Sequence, residues 1–525
     1  MTKKNNPNVF ISSYQPYTVF LTRLLEKELG WQPKVWVCTE HNQKLVTRNY
    51  PKVLQYDFHS MVKGISPSYL SENEFAYPSP EELDIYSQYE HNFLYMLERN
   101  DSNYSAFEYK ERLSFYYRII GLWKVLLQRF EIKVVLFEEE PHQAVEYALY
   151  AVAKVTGVTT IMSVRTVSEL GIIPMFDFTE GMPTLNKRYQ DVLQMYQKER
   201  YIDIDKEVED YFSRLNADYQ TVLKEHLWNQ VDEFNSLAGK GKRTWKSVAY
   251  AAGKLNKGVA AISRFIMNPP MPSDQFKPRM KLQESTFSYR NYYINKTRTI
   301  RKKRSLKRFY ESVALSDLTS LSKEKKYLYI ALQYQPEKST CPLAGRFVDQ
   351  KYLIQWLSCR LDDSWQLLVK EHPSQFITEY SRFGDCLRSE NYYKDILKIP
   401  RVNLLSLSFD SFAIMEKVHA VGSAGGTVCW ESLARGTPVL NFAACWFKSC
   451  HGVFNIRSND DLQMAINDIL SGFRPDPYLV KAFAQVIHSL NFKAAVGGES
   501  NLNQKNLDAE SNAQAHFEAI KTLLK

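Results

Sequence analysis

A chain of 525 residues with 44% hydrophobic and 24% charged residues is long enough for two or three domains, each with its own core, and this ordinary balance excludes a disordered or fibrous class. Its seven cysteines are odd in number, scattered and without a CxxC pair, which excludes a disulfide framework and points to a reducing compartment. The net charge of +9 has one source: residues 240–310 hold 19 Lys and Arg against Asp274 and Glu284, a local +17 that leaves −8 for the rest of the chain.

In chain order, NVFISS (8–13) predicts a first strand. The loop SYQPY follows, then an amphipathic helix with Val19, Phe20, Leu24 and Leu25 on one face, ended by Gly30. KVWVCT (34–39) predicts the next strand. This is how a Rossmann-like domain opens, although the first loop has no GxGxxG and is not a dinucleotide fingerprint. Residues 60–105 are polar and acidic with a helical stretch near 81–99, and read as an insertion of little chemical content.

A long helix over 107–130 leads to the buried strand KVVLF (133–137), which ends in Glu138, Glu139, Glu140, Pro141 and His142. Three carboxylates and an imidazole at one strand end are a candidate general base or nucleophile, because crowded like charges raise at least one carboxylate pKa toward the working range. The alternative is that Pro141 opens a helix over 143–155 whose positive end accommodates acids in its first turn. TTIMSVR (159–165) predicts another strand, with Arg165 placed to meet a phosphate or carboxylate. These elements define an N-terminal domain over 1–185.

Residues 186–320 read as a helical, basic connecting segment. Within it Trp245, Val248, Ala252, Leu255, Val259, Ile262 and Ile266 recur at helical spacing among lysines, the pattern of a helix lying on an anionic membrane surface. A solvated linker face is the alternative. Nucleic acid is not expected as a partner, since no nucleic-acid-binding motif accompanies the charge. Four prolines over 268–278 mark a hinge-like linker.

A second Rossmann-like domain is expected over 321–480. KYLYIAL (326–332) predicts its first strand, WQLLV (365–369) its next, ending in Lys370, Glu371, His372 and Pro373, and VNLL (402–405) a third. VHAVGS (418–423) then runs into Gly425 and Gly426, a helix from Thr427 to Arg435, the stop at Gly436 and the strand PVLNF (438–442). Two glycines let the backbone approach a ligand, and the free N–H groups of the following helix favour an anion, most often a phosphate. Glu431, one turn past Thr427, lies on the same face, where it can accept from a sugar hydroxyl. The alternative is a structural turn with Glu431 merely solvated. Residues 481–525 form a tail, with a polar loop over 497–514 and a final helix at 515–524 that packs on the N-terminal domain.

The order QYQPE (333–337), KEHP (370–373) and GSAGGTVCWESLARGTPV (422–439) resembles the C-terminal half of the capsule polysaccharide biosynthesis glycosyltransferases, whose members include Kdo transferases. The resemblance covers about residues 325–475, and the HP pair is shared with bacterial sialyltransferases and teichoic-acid polymerases. It implies an α/β fold of GT-B type, two facing Rossmann-like domains joined by the helical basic segment. It also implies transfer of a sugar from a nucleotide-sugar donor, CMP-linked donors among them, to a growing surface polysaccharide or its lipid-linked acceptor. Lys370, His372, Ser423, Gly425, Gly426 and Thr427 are then the donor phosphate site, and Gln335, Glu337 and Glu431 hold nucleotide or sugar. The loop with Ser12, Ser13 and Gln15 borders the acceptor side, and Glu138, Glu139, Glu140 and His142 supply the catalytic group. No cofactor is expected beyond the co-substrate. No metal is expected either, since no DxD stands at a strand end and Cys445, Cys450 and His451 lack paired zinc spacing. Other readings are a non-catalytic subunit of an assembly complex, a sugar-nucleotide 2-epimerase and a teichoic-type polymerase. MTKKNNPNVFISS holds no apolar core of signal-peptide length and no run reaches the ~18 apolar residues of a membrane span. The expected location is the cytoplasm, peripheral to the inner face of the membrane.

Overall fold

The computed structural model of the chain describes residues 6–97, 108–167, 170–216, 262–263, 266–267, 289–319, 321–335, 339–377, 388–490, 492–497, 502 and 507–525. Most of the expected apolar stripe (245–259), the proline-rich 268–278 and Glu337 lie outside these residues.

Two six-stranded sheets organise the molecule. The first contains β1 (Asn8–Ser12), β2 (Gln32–Cys38), β3 (Leu54–Asp57), β4 (Ile132–Phe137), β5 (Thr159–Arg165) and β6 (Ile172–Met175), in the order β3-β2-β1-β4-β5-β6. All pairings are parallel except β5 with β6. The second contains β7 (Lys326–Ala331), β8 (Trp365–Lys370), β9 (Val402–Leu405), β10 (Ala420–Ser423), β11 (Val439–Asn441) and β12 (Val453–Asn455), all parallel, in the order β12-β11-β10-β7-β8-β9. The central strands are apolar throughout because helices cover both faces of a parallel sheet; Val134, Val135 and Leu136 on β4 and Leu367, Leu368 and Val369 on β8 are all buried.

In each sheet the first strand is central and the chain builds outward on one side, then crosses to the other. Each sheet therefore has a switch point, between β1 and β4 and between β7 and β10, the place where ligands gather at the carboxyl ends of open α/β sheets. The chain is thus α/β with two Rossmann-like domains.

Helices Pro183–Glu199 and Lys206–Leu215 pack against Pro477–Ser489, so the tail returns to the first domain. Tyr189 donates to the Leu479 carbonyl (3.0 Å), and Trp430 of the second domain donates its indole N–H to the Tyr211 hydroxyl (2.8 Å). The last helix spans Ala509–Leu523 and lies on Tyr17–Leu29. It starts six residues before the expected 515 because Asp508 caps it, accepting the Ser511 N–H at 2.7 Å.

The described residues 60–97 are more than an insertion. Helix Pro80–Leu97 packs on Ala144–Val155, Asn92 donates to the Tyr147 hydroxyl (3.1 Å), and the Asn92 carbonyl accepts the Cys341 thiol of the second domain (3.4 Å). Among the described residues no helix is long and apolar enough to cross a membrane.

Candidate active site

At the β1/β4 switch point the strands end in Ser12, Ser13 and Glu138. The Trp36 indole N–H, donated to the Ser13 carbonyl at 3.0 Å, fixes the first loop. Adjacent serines then each hold one carboxylate: Ser12 Oγ donates to Glu146 Oε1 (2.8 Å) and Ser13 Oγ to Glu138 Oε2 (3.2 Å). The other Glu138 oxygen accepts the Gly497 N–H at 2.8 Å. Ser12, Tyr14, Glu138, Glu139, His142 and Glu146 line one small concavity.

Both serine-held glutamates are half-buried, and loss of solvent disfavours their charged forms. Burial, reinforced by the Glu139 charge, pushes Glu138 up to about 7. Burial pushes Glu146 up to about 8, against the Ser12 hydroxyl bond that favours the anion. A carboxylate titrating near neutrality is suited to taking a proton from a hydroxyl and returning it. Glu139 stands 3.6 Å from His142 Nδ1 and 3.8 Å from Arg165 Nη2.

The carboxylates at this site are not the expected set. Glu140 turns into the protein, 3% exposed, with its carbonyl 3.1 Å from His142 Nδ1, and does not line the concavity. Glu146 takes its place. It sits in the first turn of the helix Ala144–Val155, where an acid in sequence looks like a dipole-satisfying residue and nothing more.

Ionising Glu146 costs folding energy, since its folded value of about 8 lies above the ordinary 4.5. Its contribution to stability is complete below pH 4.5 and is lost as pH rises through about 8. Glu146→Gln is therefore expected to melt with the wild type in acid and progressively above it from pH 4.5 to about 8, read as Tm against pH. A constant offset across that range contradicts the assignment.

At the β7/β10 switch point Gly425 (φ 106°) and Gly426 (φ 94°) adopt left-handed conformations that β-carbons disfavour, and helix Thr427–Ala434 begins directly after them. A Cβ on Gly426 would lie 2.3 Å from Gln333 Oε1, and one on Gly425 2.8 Å from the Ser339 carbonyl. The glycines thus make room for the chain's own loop after β7. No side chain caps the helix start, and Thr427 is exposed there. Gln333 is clamped in turn: its N–H donates to Gln350 Oε1 (2.6 Å), its carbonyl accepts from Gln350 Nε2 (3.0 Å), and its own amide donates to Ser423 Oγ (2.9 Å).

Three expected donor contacts are internal. Ser423 is fully buried and donates to the Gly425 carbonyl (2.6 Å), tying the glycine loop to its strand. Gln335, 8% exposed, donates to Thr340 Oγ1 (2.8 Å). Lys370 is 3% exposed, its ammonium on the Phe409 carbonyl (2.5 Å) and Ser411 Oγ (3.0 Å), and burial lowers it to about 8. Each has the chemistry of a ligand contact but spends it on the loops behind the crevice. His372 is half-buried at the end of β8, accepts the Ser374 N–H on Nδ1 (3.2 Å), and has its ring 6.3 Å from that of Tyr334. Glu431 is 8% exposed on the helix that follows the glycines.

Glu371 is the residue of KEHP whose role sequence did not disclose. Fully buried, it accepts from Arg388 Nε and the Tyr393 hydroxyl on one oxygen (both 2.9 Å) and from the His372 N–H on the other (2.8 Å). It holds the turn that presents His372. Cys445 and Cys450 are buried thiols, Cys445 pushed up to about 12 by burial, and no three-residue metal-ligating group occurs among the described residues.

No family model matches this sequence, and no curated protein does. Solved structures align along most of the chain at low identity. The UDP-GlcNAc 2-epimerase of Methanocaldococcus jannaschii is 10% identical over 92% of this chain and 99% of its own, with a TM-score of 0.25. The sucrose-phosphate synthase of Thermosynechococcus elongatus is 9% identical over 99% of both chains, with a TM-score of 0.21. A glycosyltransferase of Streptomyces sp. SF2575 is 11% identical over 99% of both, with a TM-score of 0.17. Alignments at this level assign no substrate and no reaction, so the chemistry rests on the residues above.

Proposed function

We propose that this chain is a glycosyltransferase that moves a sugar from a nucleotide-sugar donor to a surface polysaccharide or its lipid-linked acceptor, on the cytoplasmic face of the membrane. The observation that carries the reading is the division of labour between the two switch points. One ends in a carboxylate, Glu138, poised near neutrality; the other opens in a glycine pair at an uncapped helix start. Glycosyl transfer needs both, a base for the acceptor hydroxyl and an anion site for the leaving phosphate.

In this reading Glu138 takes the proton of an acceptor hydroxyl as its oxygen bonds to the anomeric carbon. The bond from that carbon to the donor phosphate breaks, and the nucleotide leaves as an anion on the N–H groups of Gly426 and Thr427, with His372 alongside. Fixed N–H dipoles can stabilise that charge, so the reaction is proposed to run without a divalent metal. Glu431 then receives a hydroxyl of the ribose or sugar.

Thermal melting with CMP, CDP, UDP and GDP tests the donor site, because a ligand of the folded state raises Tm by mass action. One nucleotide is expected to stand out. Glu431→Gln is expected to bind it more weakly by about 1.5–3 kcal/mol, the worth of a charge-assisted hydrogen bond, in calorimetry. Equal affinity in the variant removes Glu431 from the donor site. Interconversion of the donor sugar without any acceptor would instead identify an epimerase.

A further inference from the structure

The basic helix Tyr289–Val313 has two faces. Thr299, Lys303, Leu306 and Tyr310 are buried along one side, Arg290, Arg301, Arg304 and Arg308 are exposed on the opposite one, and Arg298 and Lys302 are exposed on the flank between. The helix contains one acid, Glu311, and that carboxylate is committed elsewhere, accepting from Ser406 Oγ (2.7 Å) and the Leu407 N–H (3.2 Å). Its buried face supports the donor crevice. Lys303 donates to the Ile377 carbonyl (3.0 Å), and the Tyr310 hydroxyl receives the Glu371 N–H (3.0 Å) while donating to the Leu405 carbonyl (2.6 Å).

A second observation stands at the N-terminal end of this helix. Ile262, Ile266 and Met267 are helical and 62%, 67% and 74% exposed, and Arg290 Nη2 donates to the Ile266 carbonyl at 3.4 Å. Three large exposed apolar side chains thus stand where the basic helix begins, tied to it through Arg290.

We infer that this face docks the protein on a bilayer rich in anionic lipid, the arginines and Lys302 against headgroup phosphates and Ile262, Ile266 and Met267 in the hydrocarbon beneath. A soluble polyanion, such as an acidic polysaccharide or a nucleic acid, matches the charge but offers nothing to the apolar trio; a membrane surface matches both. The inference goes beyond the sugar chemistry and holds for any donor.

Sedimentation of the full chain with phosphatidylglycerol-containing vesicles, compared with pure phosphatidylcholine at low and high salt, tests it. Anionic vesicles are expected to bind the wild type at low salt, with a weaker salt-resistant remainder. Arg301→Glu with Arg304→Glu and Arg308→Glu should weaken binding by at least about tenfold. Ile262→Ser with Ile266→Ser and Met267→Ser should remove the remainder alone, and unchanged melting curves would show that both variants fold. If the charge-reversed protein does not fold, the serine variant and the wild-type salt dependence still decide. Absence of vesicle binding, equal binding to phosphatidylcholine, or capture of a soluble acidic polysaccharide with no vesicle binding would each overturn the inference.

Discussion

Glu138→Gln is expected to lower turnover by about 10²–10⁴-fold, the usual worth of a positioned general base, while nucleotide-induced stabilisation persists because that site lies on the other sheet. The amide keeps the shape that accepts from Ser13 and Gly497 but cannot take a proton. The wild-type rate should rise with pH through about 7 and level off above it, since a base works only when ionised. In the variant that limb should vanish. Turnover near wild type in Glu138→Gln would move the role to Glu139 or His142, which share the concavity.

The largest expected loss of stability is at Glu371 and Arg388, which are 0% and 5% exposed and paired at 2.9 Å. Removing one partner strands the other charge in the interior, a change that typically costs about 3–5 kcal/mol. Glu371→Gln and Arg388→Met should each lower the denaturation midpoint accordingly. Glu371→Leu combined with Arg388→Met should recover part of the loss, because no unpaired charge remains. Full recovery is not expected, since Glu371 also serves Tyr393 and the His372 N–H. A single variant within about 1 kcal/mol of wild type would show that the pair is solvated in solution.

Strand positions were legible because parallel strands buried on both faces appear as unbroken apolar runs; KVVLF and KYLYIAL stand where β4 and β7 do. Edge strands β6 and β12, four and three residues long, escape that signal. The glycine pair was legible because positive φ selects glycine, and its sequence position set the helix start. What sequence could not give was the direction of side chains. Lys370 and Ser423 stand at strand ends as expected, yet alternation and loop packing turn both inward. Crowding points to Glu138, whereas burial raises it most and the Glu139 charge adds to that, against the N–H of Gly497, a partner 359 positions away that favours the anion. Glu146 was missed for the same reason: only the fold brings it to Ser12.

The return of the tail to the first domain has a consequence for how the chain comes into being. Phe517, Ile520 and Leu523 belong to the same hydrophobic core as Val9, Val19 and Leu25, whereas the core of the second domain runs only from Leu306 to Ile469. At ribosomal rates of about 5–20 residues per second, roughly 25–100 s separate the emergence of the first strand from that of its last covering helix. The domain made first is therefore finished last. Through that interval the face of Tyr17–Leu29 that the last helix covers stays open to solvent.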